Sequence, residues 1–318
     1  MDYANRRVCC SFFKGDHSNQ RKRTEMLRVR LLTAFVFILV LLWSVTFSTH
    51  ESIPVLFFMF GTIFAGAEFI AMRWHVIDGQ ATTERPHPII RREHWGIAAC
   101  YALCVPIEFY GPRLLGHPSD FGTSLVFAWI ALCTICGSAF FYRRELDLEH
   151  STHKLMNVLA GFVYISIPGV IMFRLSQIHI DQAPKGIALY FALACILLGD
   201  SGAYFVGRSV GRRKLIPRVS PKKTVEGALG GLFCSSLTGF FFCIYFMKEL
   251  SPVWGLITAL IVGAAGQVGD LAESALKRTA NVKDSGSLLP GHGGMLDRID
   301  SLLFGVPLAH LLFLSFHH

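Results

Sequence analysis

Nine apolar stretches of spanning length punctuate the chain, near residues 27–49, 53–72, 95–110, 121–142, 155–174, 186–207, 228–247, 252–270 and 299–316. About 20 apolar residues in a helix cross a bilayer. Lipid offers no partner to a peptide group, so such segments must satisfy their backbone internally. The pattern predicts an all-α, polytopic integral membrane protein with about nine transmembrane helices. The stretch at 95–110 is the weakest, being short and carrying Pro106 and Glu108. Only 16% of the 318 residues are charged, against about a quarter in soluble domains, which excludes an ordinary soluble protein.

Lys and Arg accumulate in cytoplasmic loops because they resist translocation. With the N-terminus inside and nine spans threaded, 26 of the 30 basic residues fall inside: those through Arg30 and those in 73–94, 143–154, 208–227 and 271–298. Arg113, Arg174, Lys185 and Lys248 remain outside. The net charge of +8 is therefore mainly a topological signal, with attraction to anionic headgroups as a second use. It does not argue for nucleic acid as a partner.

Basic residues followed by an apolar run imitate a secretory signal. The 27–47 run is longer than the about 7–15 residues of a signal core, and no small-x-small site follows, so it reads as a retained anchor. A basic cytoplasmic segment, 1–26, thus precedes one transmembrane catalytic domain, 27–318, undivided by repeats. Cys133-x-x-Cys136 has metal-ligand spacing but lies in an apolar span without a second pair, where Cys packs as a small hydrophobe. His75, His87 and His94 fall in or beside a polar loop and read as solvated. The first 180 residues show no polar cluster tied to a reaction, with Glu68 the exception. A carboxylate at membrane depth is a functional candidate, although one near a span end can also reach the interface.

Polar residues concentrate instead in the second half. Asp200 sits in Leu198-Gly199-Asp200-Ser201-Gly202-Ala203-Tyr204, within an apolar span, where a charge needs a cation, a proton or water. Ser220-Pro221-Lys222-Lys223-Thr224-Val225-Glu226-Gly227 follows, read as a helix start with two lysines beside free N–H groups, which is an anion site. Then Asp270, Glu273, Ser274 and Lys277 recur at i, i+3, i+4 and i+7, on one face of a continuing helix. Asp297 and Asp300 stand one turn apart at the start of the last helix, after His292-Gly293-Gly294. Either aspartate could cap that helix. Together with Asp270 they also suit a hard cation such as Mg²⁺, which takes one or two carboxylates plus substrate phosphates. Metal ions with Lys and Arg clamps are what displacement at a nucleotide phosphorus needs, and a lipid phosphate is its own nucleophile.

The run from Ser274 to Asp300, S-A-L-K-R-x4-K-D-x-G-x2-L-P-x-H-G-G-M-x-D-R-I-D, resembles the signature of the phosphatidate cytidylyltransferase (CDP-diacylglycerol synthase) family at every defined position. D-S-G-A-Y-F-V-G-R-x2-G and S-P-K-K-T-V-E-G resemble its other blocks, in order, so the recognisable part covers about 199–301. The resemblance implies a membrane transferase that joins the CMP moiety of CTP to phosphatidic acid, giving CDP-diacylglycerol and pyrophosphate. It implies Mg²⁺, often with a second cation, and membrane lipid as surroundings; a homodimer stays open. Asp270, Asp297 and Asp300 match its metal-site aspartates, with Lys277 joining them as a catalytic candidate. Ser220, Lys222, Lys223, Thr224, Arg278, Lys283, His292, Gly293, Gly294 and Arg298 are the substrate-binding candidates, supported by Asp200, Glu226, Glu273 and Asp284. The length, without a long soluble extension, favours a bacterial-type plasma membrane with the site facing the cytoplasm.

Two other readings compete. A transporter would place polar residues near the midplane, often in repeated halves, whereas these collect in two loops on one side. A polyprenol kinase would use CTP with similar charges, and the long Ser274–Asp300 match argues against it.

Overall fold

The computed structural model describes residues 35–36, 38–48, 50, 52–79, 88–118, 121–144, 147–288 and 293–316. Ten helices run in order: α1 (Ile38–Phe47), α2 (Ser52–Ile77), α3 (Arg92–Ala102), α4 (Cys104–Leu115), α5 (Phe121–Arg144), α6 (Leu148–Gln177), α7 (Ile187–Ser209), α8 (Val225–Phe246), α9 (Pro252–Thr279) and α10 (Leu296–Phe316). A hairpin of β1 (Lys214–Ile216) and β2 (Ser220–Thr224) separates α7 from α8.

Seven of these helices are long and apolar enough to cross a membrane: α2 and α5 to α10. The chain is an integral membrane protein, but the expected count of nine is not reached among the described residues. The first expected span survives there as the short α1. The expected 95–110 span is two short helices, broken at Leu103. Pro106 explains the break, since it has no N–H to offer the Ala102 carbonyl one turn back. Pro168 poses the same problem inside α6, and a π-helical turn at Phe162–Ser166 directly before it absorbs the missing bond.

The N-terminal half packs around α2, whose Ala65, Ile70 and Met72 are wholly buried. Glu108 of α4, 7% exposed, is neutralised by Arg174 of α6, whose Nε lies 2.7 Å from Glu108 Oε1. Arg174 also donates to Thr123 Oγ1 on α5 at 2.5 Å. His75 and His94 are not solvated as expected but 5% and 2% exposed. His94 Nδ1 accepts from the Arg91 backbone at 3.0 Å, and its ring meets Trp74 edge-on. His87 lies outside the described residues. Cys133 and Cys136 are free thiols on α5.

Helices α7, α8 and α9 pack with small residues in their seams. A Cβ at Gly199 or Gly202 would overlap Ser235 or Cys234 of α8, and one at Gly239 would overlap the Gly255 carbonyl of α9. Lipid gives helices no hydrophobic reason to associate, so close backbone approach and polar contacts must hold them. Ser235 Oγ donates to Cys195 O at 2.8 Å and Gln267 Nε2 to Ala228 O at 3.0 Å.

The chain is helical as expected apart from this short hairpin, which corrects one expectation: Pro221 does not open a helix. Lys214 pairs with Thr224 and Ile216 with Ser220 in a two-stranded ribbon, where each strand has a free edge that tolerates proline. Helix α8 starts later, at Val225, with Thr224 Oγ1 accepting from Gly227 N at 3.2 Å as its N-cap.

Candidate active site

A cavity of about 390 Å³ lies where the ends of α7, α8 and α9 meet the hairpin. Asp200, Arg208, Lys222, Lys223, Thr224 and Asp270 border it. Polar groups collect here because each helix ends its apolar run at this level: α7 with Asp200 to Ser209, α9 with Asp270 to Thr279. The hairpin then folds its lysines back over the opening, held by two contacts. Glu226 accepts from the Arg212 and Arg213 backbone at 3.0 and 3.1 Å, and Arg278 Nε donates to Val219 O at 3.2 Å.

The acidic residues divide into two groups. In the first, Asp270 Oδ2 meets Lys223 Nζ at 2.5 Å, while Asp270 Oδ1 takes only a 3.4 Å hydrogen bond from Ser274. Asp200 stands in the field of Asp270 and Lys223, close to Ser301. Asp300 accepts from the Ser301 backbone at 2.6 Å and has Asp270 and Asp200 as acidic neighbours.

The second group is Glu273, Lys277 and Asp297. Lys277 ion-pairs with Glu273 one turn back and with Asp297 Oδ1 at 2.6 Å. Asp297 Oδ2 accepts from Ser285 N at 3.0 Å and Gly294 N at 2.9 Å. All three side chains are shielded, at 0%, 13% and 6% exposed. The i, i+4 pairs expected on α9 are thus present, as Asp270 with Ser274 and Glu273 with Lys277.

Among the described residues, no three His, Cys, Asp or Glu side chains are grouped so as to hold a metal ion. Mg²⁺ seldom needs such a cage, being held by one or two carboxylates with phosphates and water. The hard oxygens of Asp270 and Asp200 on the cavity wall fit that mode. Asp297 fits it poorly, because Lys277 and two backbone N–H groups already occupy both its oxygens.

Of the remaining candidates, Lys283, Asp284 and Arg298 are exposed and do not border the cavity, and Ser220 sits at the start of β2. Gly293 has φ +82°, a conformation that costs glycine little, and Gly294 is buried. His292 lies outside the described residues.

One residue escaped the sequence reading, and a second was noticed there without its partners. The Tyr164 hydroxyl is buried without a hydrogen-bond partner among the described residues, in the field of Glu273, Asp300 and Asp270. Its position on the π-helical turn of α6 had one sequence signal, Pro168. Glu68 had one too, as a carboxylate at membrane depth, but its partners are more than 200 residues away.

Known proteins share this chain's pattern. The phosphatidate cytidylyltransferase of Bacillus subtilis (strain 168) is 47% identical over 129 residues, which are 40% of this chain and 48% of that relative. The enzyme of the same name from Staphylococcus aureus (strain COL) is 46% identical over 128 residues, 40% of this chain and 49% of the relative. The matched stretch therefore spans about half the length of these relatives. The cytidylyltransferase family model, by contrast, matches residues 28–316, taking in every described helix, the hairpin and both acidic groups. On that breadth, the chain belongs to the cytidylyltransferase family.

Proposed function

We propose that this protein transfers the CMP moiety of CTP to phosphatidic acid, forming CDP-diacylglycerol and releasing pyrophosphate. The carrying observation is the cavity in which Asp200 and Asp270 face Lys222, Lys223 and Arg208 at the ends of membrane helices. A soluble polyanionic nucleotide and an anionic lipid can meet only where cations offset both, at the level of the headgroups. The relatives named phosphatidate cytidylyltransferase support the same pair of substrates.

In this reading a phosphate oxygen of the lipid attacks the α-phosphorus of CTP. The bond from that phosphorus to the oxygen bridging to the β-phosphorus breaks, and pyrophosphate leaves with the bonding pair. Lys222, Lys223 and Arg208 hold phosphate oxygens, and the fixed cations stabilise charge that grows on the leaving group. Lys223 also carries Asp270, so nucleotide phosphates and that carboxylate share one cation. Mg²⁺ held by Asp270 with Asp200 or Asp300 would neutralise the triphosphate and orient it. Asp297 serves otherwise: with Glu273 it fixes Lys277, and it ties Gly294 and Ser285 to the start of α10.

The distribution of basic residues supports a site open to the cytoplasm, and the bacterial relatives support a plasma membrane location. Purified protein given CTP, Mg²⁺ and either phosphatidic acid or dolichol tests the reading. CDP-lipid and pyrophosphate from phosphatidic acid are expected. Phosphorylated dolichol and CDP would replace it with a kinase.

A further inference from the structure

We propose that Glu68 is a positioning residue that sets the glycine-bearing loop beside the site, acting from the opposite half of the chain. This inference rests, for its kinetic arm, on the reaction proposed above. Glu68 is 0% exposed inside α2, yet it is not left as an isolated charge. Its Oε2 accepts from Ser285 Oγ at 3.0 Å and from Leu296 N at 2.9 Å, and its Oε1 accepts from Met295 N at 3.1 Å. Met295 and Leu296 open α10, where the first N–H groups have no partner within the helix and the dipole favours an anion. A carboxylate from a distant helix therefore caps α10 and grips both ends of the loop that precedes it.

The neighbouring residues make room for this grip. A Cβ at Gly286 or Gly294 would overlap the Glu68 carboxylate, so these two glycines admit it. Asp297 holds the same loop from the other side, accepting from Ser285 N and Gly294 N, while its own N–H donates to Ser285 Oγ at 3.3 Å. Ser285 is thus the shared node between the two carboxylates. Among the described residues, the hydrogen-bond partners of Glu68 are not on the cavity wall, and what it orders is Gly293, Gly294 and the first turn of α10 carrying Asp297 and Asp300. Without it, that segment would have to be ordered by bound nucleotide, which lowers apparent affinity by the fraction of time the competent loop is present.

The test uses the full chain in detergent, as wild type, Glu68→Gln, Glu68→Asp and Ser285→Ala. Amide hydrogen exchange across 285–297 and steady-state kinetics in CTP are measured on each. Glutamine keeps the volume but puts an NH₂ group against N–H donors. We expect exchange at Met295 and Leu296 to speed up about tenfold or more, with kcat/KM for CTP falling by a similar factor, as loss of charge-assisted hydrogen bonds predicts. Exchange in α7, α8 and α9 should not change. Glu68→Asp retains two anionic acceptors and should recover part of both effects. Ser285→Ala removes one donor to Glu68 and the acceptor of the Asp297 N–H, leaves the two backbone bonds to Glu68, and should reproduce a smaller, loop-confined change even if the glutamine variant fails to fold. Unchanged loop exchange in these variants, or acceleration spread evenly over all helices, overturns the proposal. A wild type that forms no CDP-lipid defeats the assigned reaction instead, and the exchange result is read separately from it.

Discussion

Asp297→Asn separates a charge partner from a metal ligand. In the native protein Asp297 Oδ1 meets Lys277 Nζ at 2.6 Å and Oδ2 accepts two backbone N–H groups, with the side chain 6% exposed. Asparagine can keep its oxygen toward Ser285 and Gly294, but it then turns an NH₂ group toward the lysine ammonium. Breaking a buried ion pair by removing one partner costs about 3–5 kcal/mol. Lys277 keeps Glu273 as a second anion, so the loss belongs at the lower end or beneath it, about 2–3 kcal/mol. Unfolding in mixed micelles titrated with SDS measures it, and a double-mutant cycle with Lys277→Met isolates the pair. The single asparagine variant should be destabilised by that amount, and the same change in the Lys277→Met background should cost clearly less. Full stability with lost activity at ordinary Mg²⁺, recovered at high Mg²⁺, would refute this assignment and return Asp297 to the metal.

Neutral replacement of Lys222 or Lys223 should raise KM for CTP or for lipid about equally across the pH range tested, because their part is phosphate binding; a shifted pH–rate profile with unchanged saturation would assign them proton transfer. Gly239→Val should destabilise the α8–α9 seam by about 1–3 kcal/mol, the usual cost of overpacking, because the Gly255 carbonyl and Ala259 leave its side chain no space; unchanged unfolding free energy would mean the seam is loose. Cysteine labelling from outside intact cells should miss a Cys placed at Ser287 and find one placed after His318; the reverse pattern would invert the topology and close the site to CTP.

Membrane character was legible because the apolar runs are long, and the runs recovered as α2 and α5 to α10 differ from the reading chiefly at their ends. The third run failed on a backbone detail: Pro106 interrupts the hydrogen-bond ladder without making the segment less apolar. The hairpin was missed because Ser220–Thr224 carries the proline and lysines of a helix start, while its strand pairing depends on Lys214–Ile216 before it. Helical spacing correctly put Asp270 beside Ser274 and Glu273 beside Lys277. It could not separate Asp297 from Asp270, since that depends on how α9 and α10 pack and on which N–H groups the intervening loop turns inward. Glu68 illustrates the same limit, because an isolated carboxylate in a span announces that it needs partners and nothing in its local sequence names Ser285, Met295 or Leu296.

The fate of the phosphorus atoms of CTP distinguishes transfer of CMP from transfer of the terminal phosphoryl group. Purified protein should be given phosphatidic acid and Mg²⁺ with CTP labelled either at the α- or the γ-phosphorus, beside an Asp270→Asn control. Attack at the α-phosphorus predicts label in the lipid product from α-labelled CTP only, label in pyrophosphate from γ-labelled CTP, and neither from the control. Lipid labelled from the γ-position, or an Asp270→Asn protein with native turnover, would contradict it.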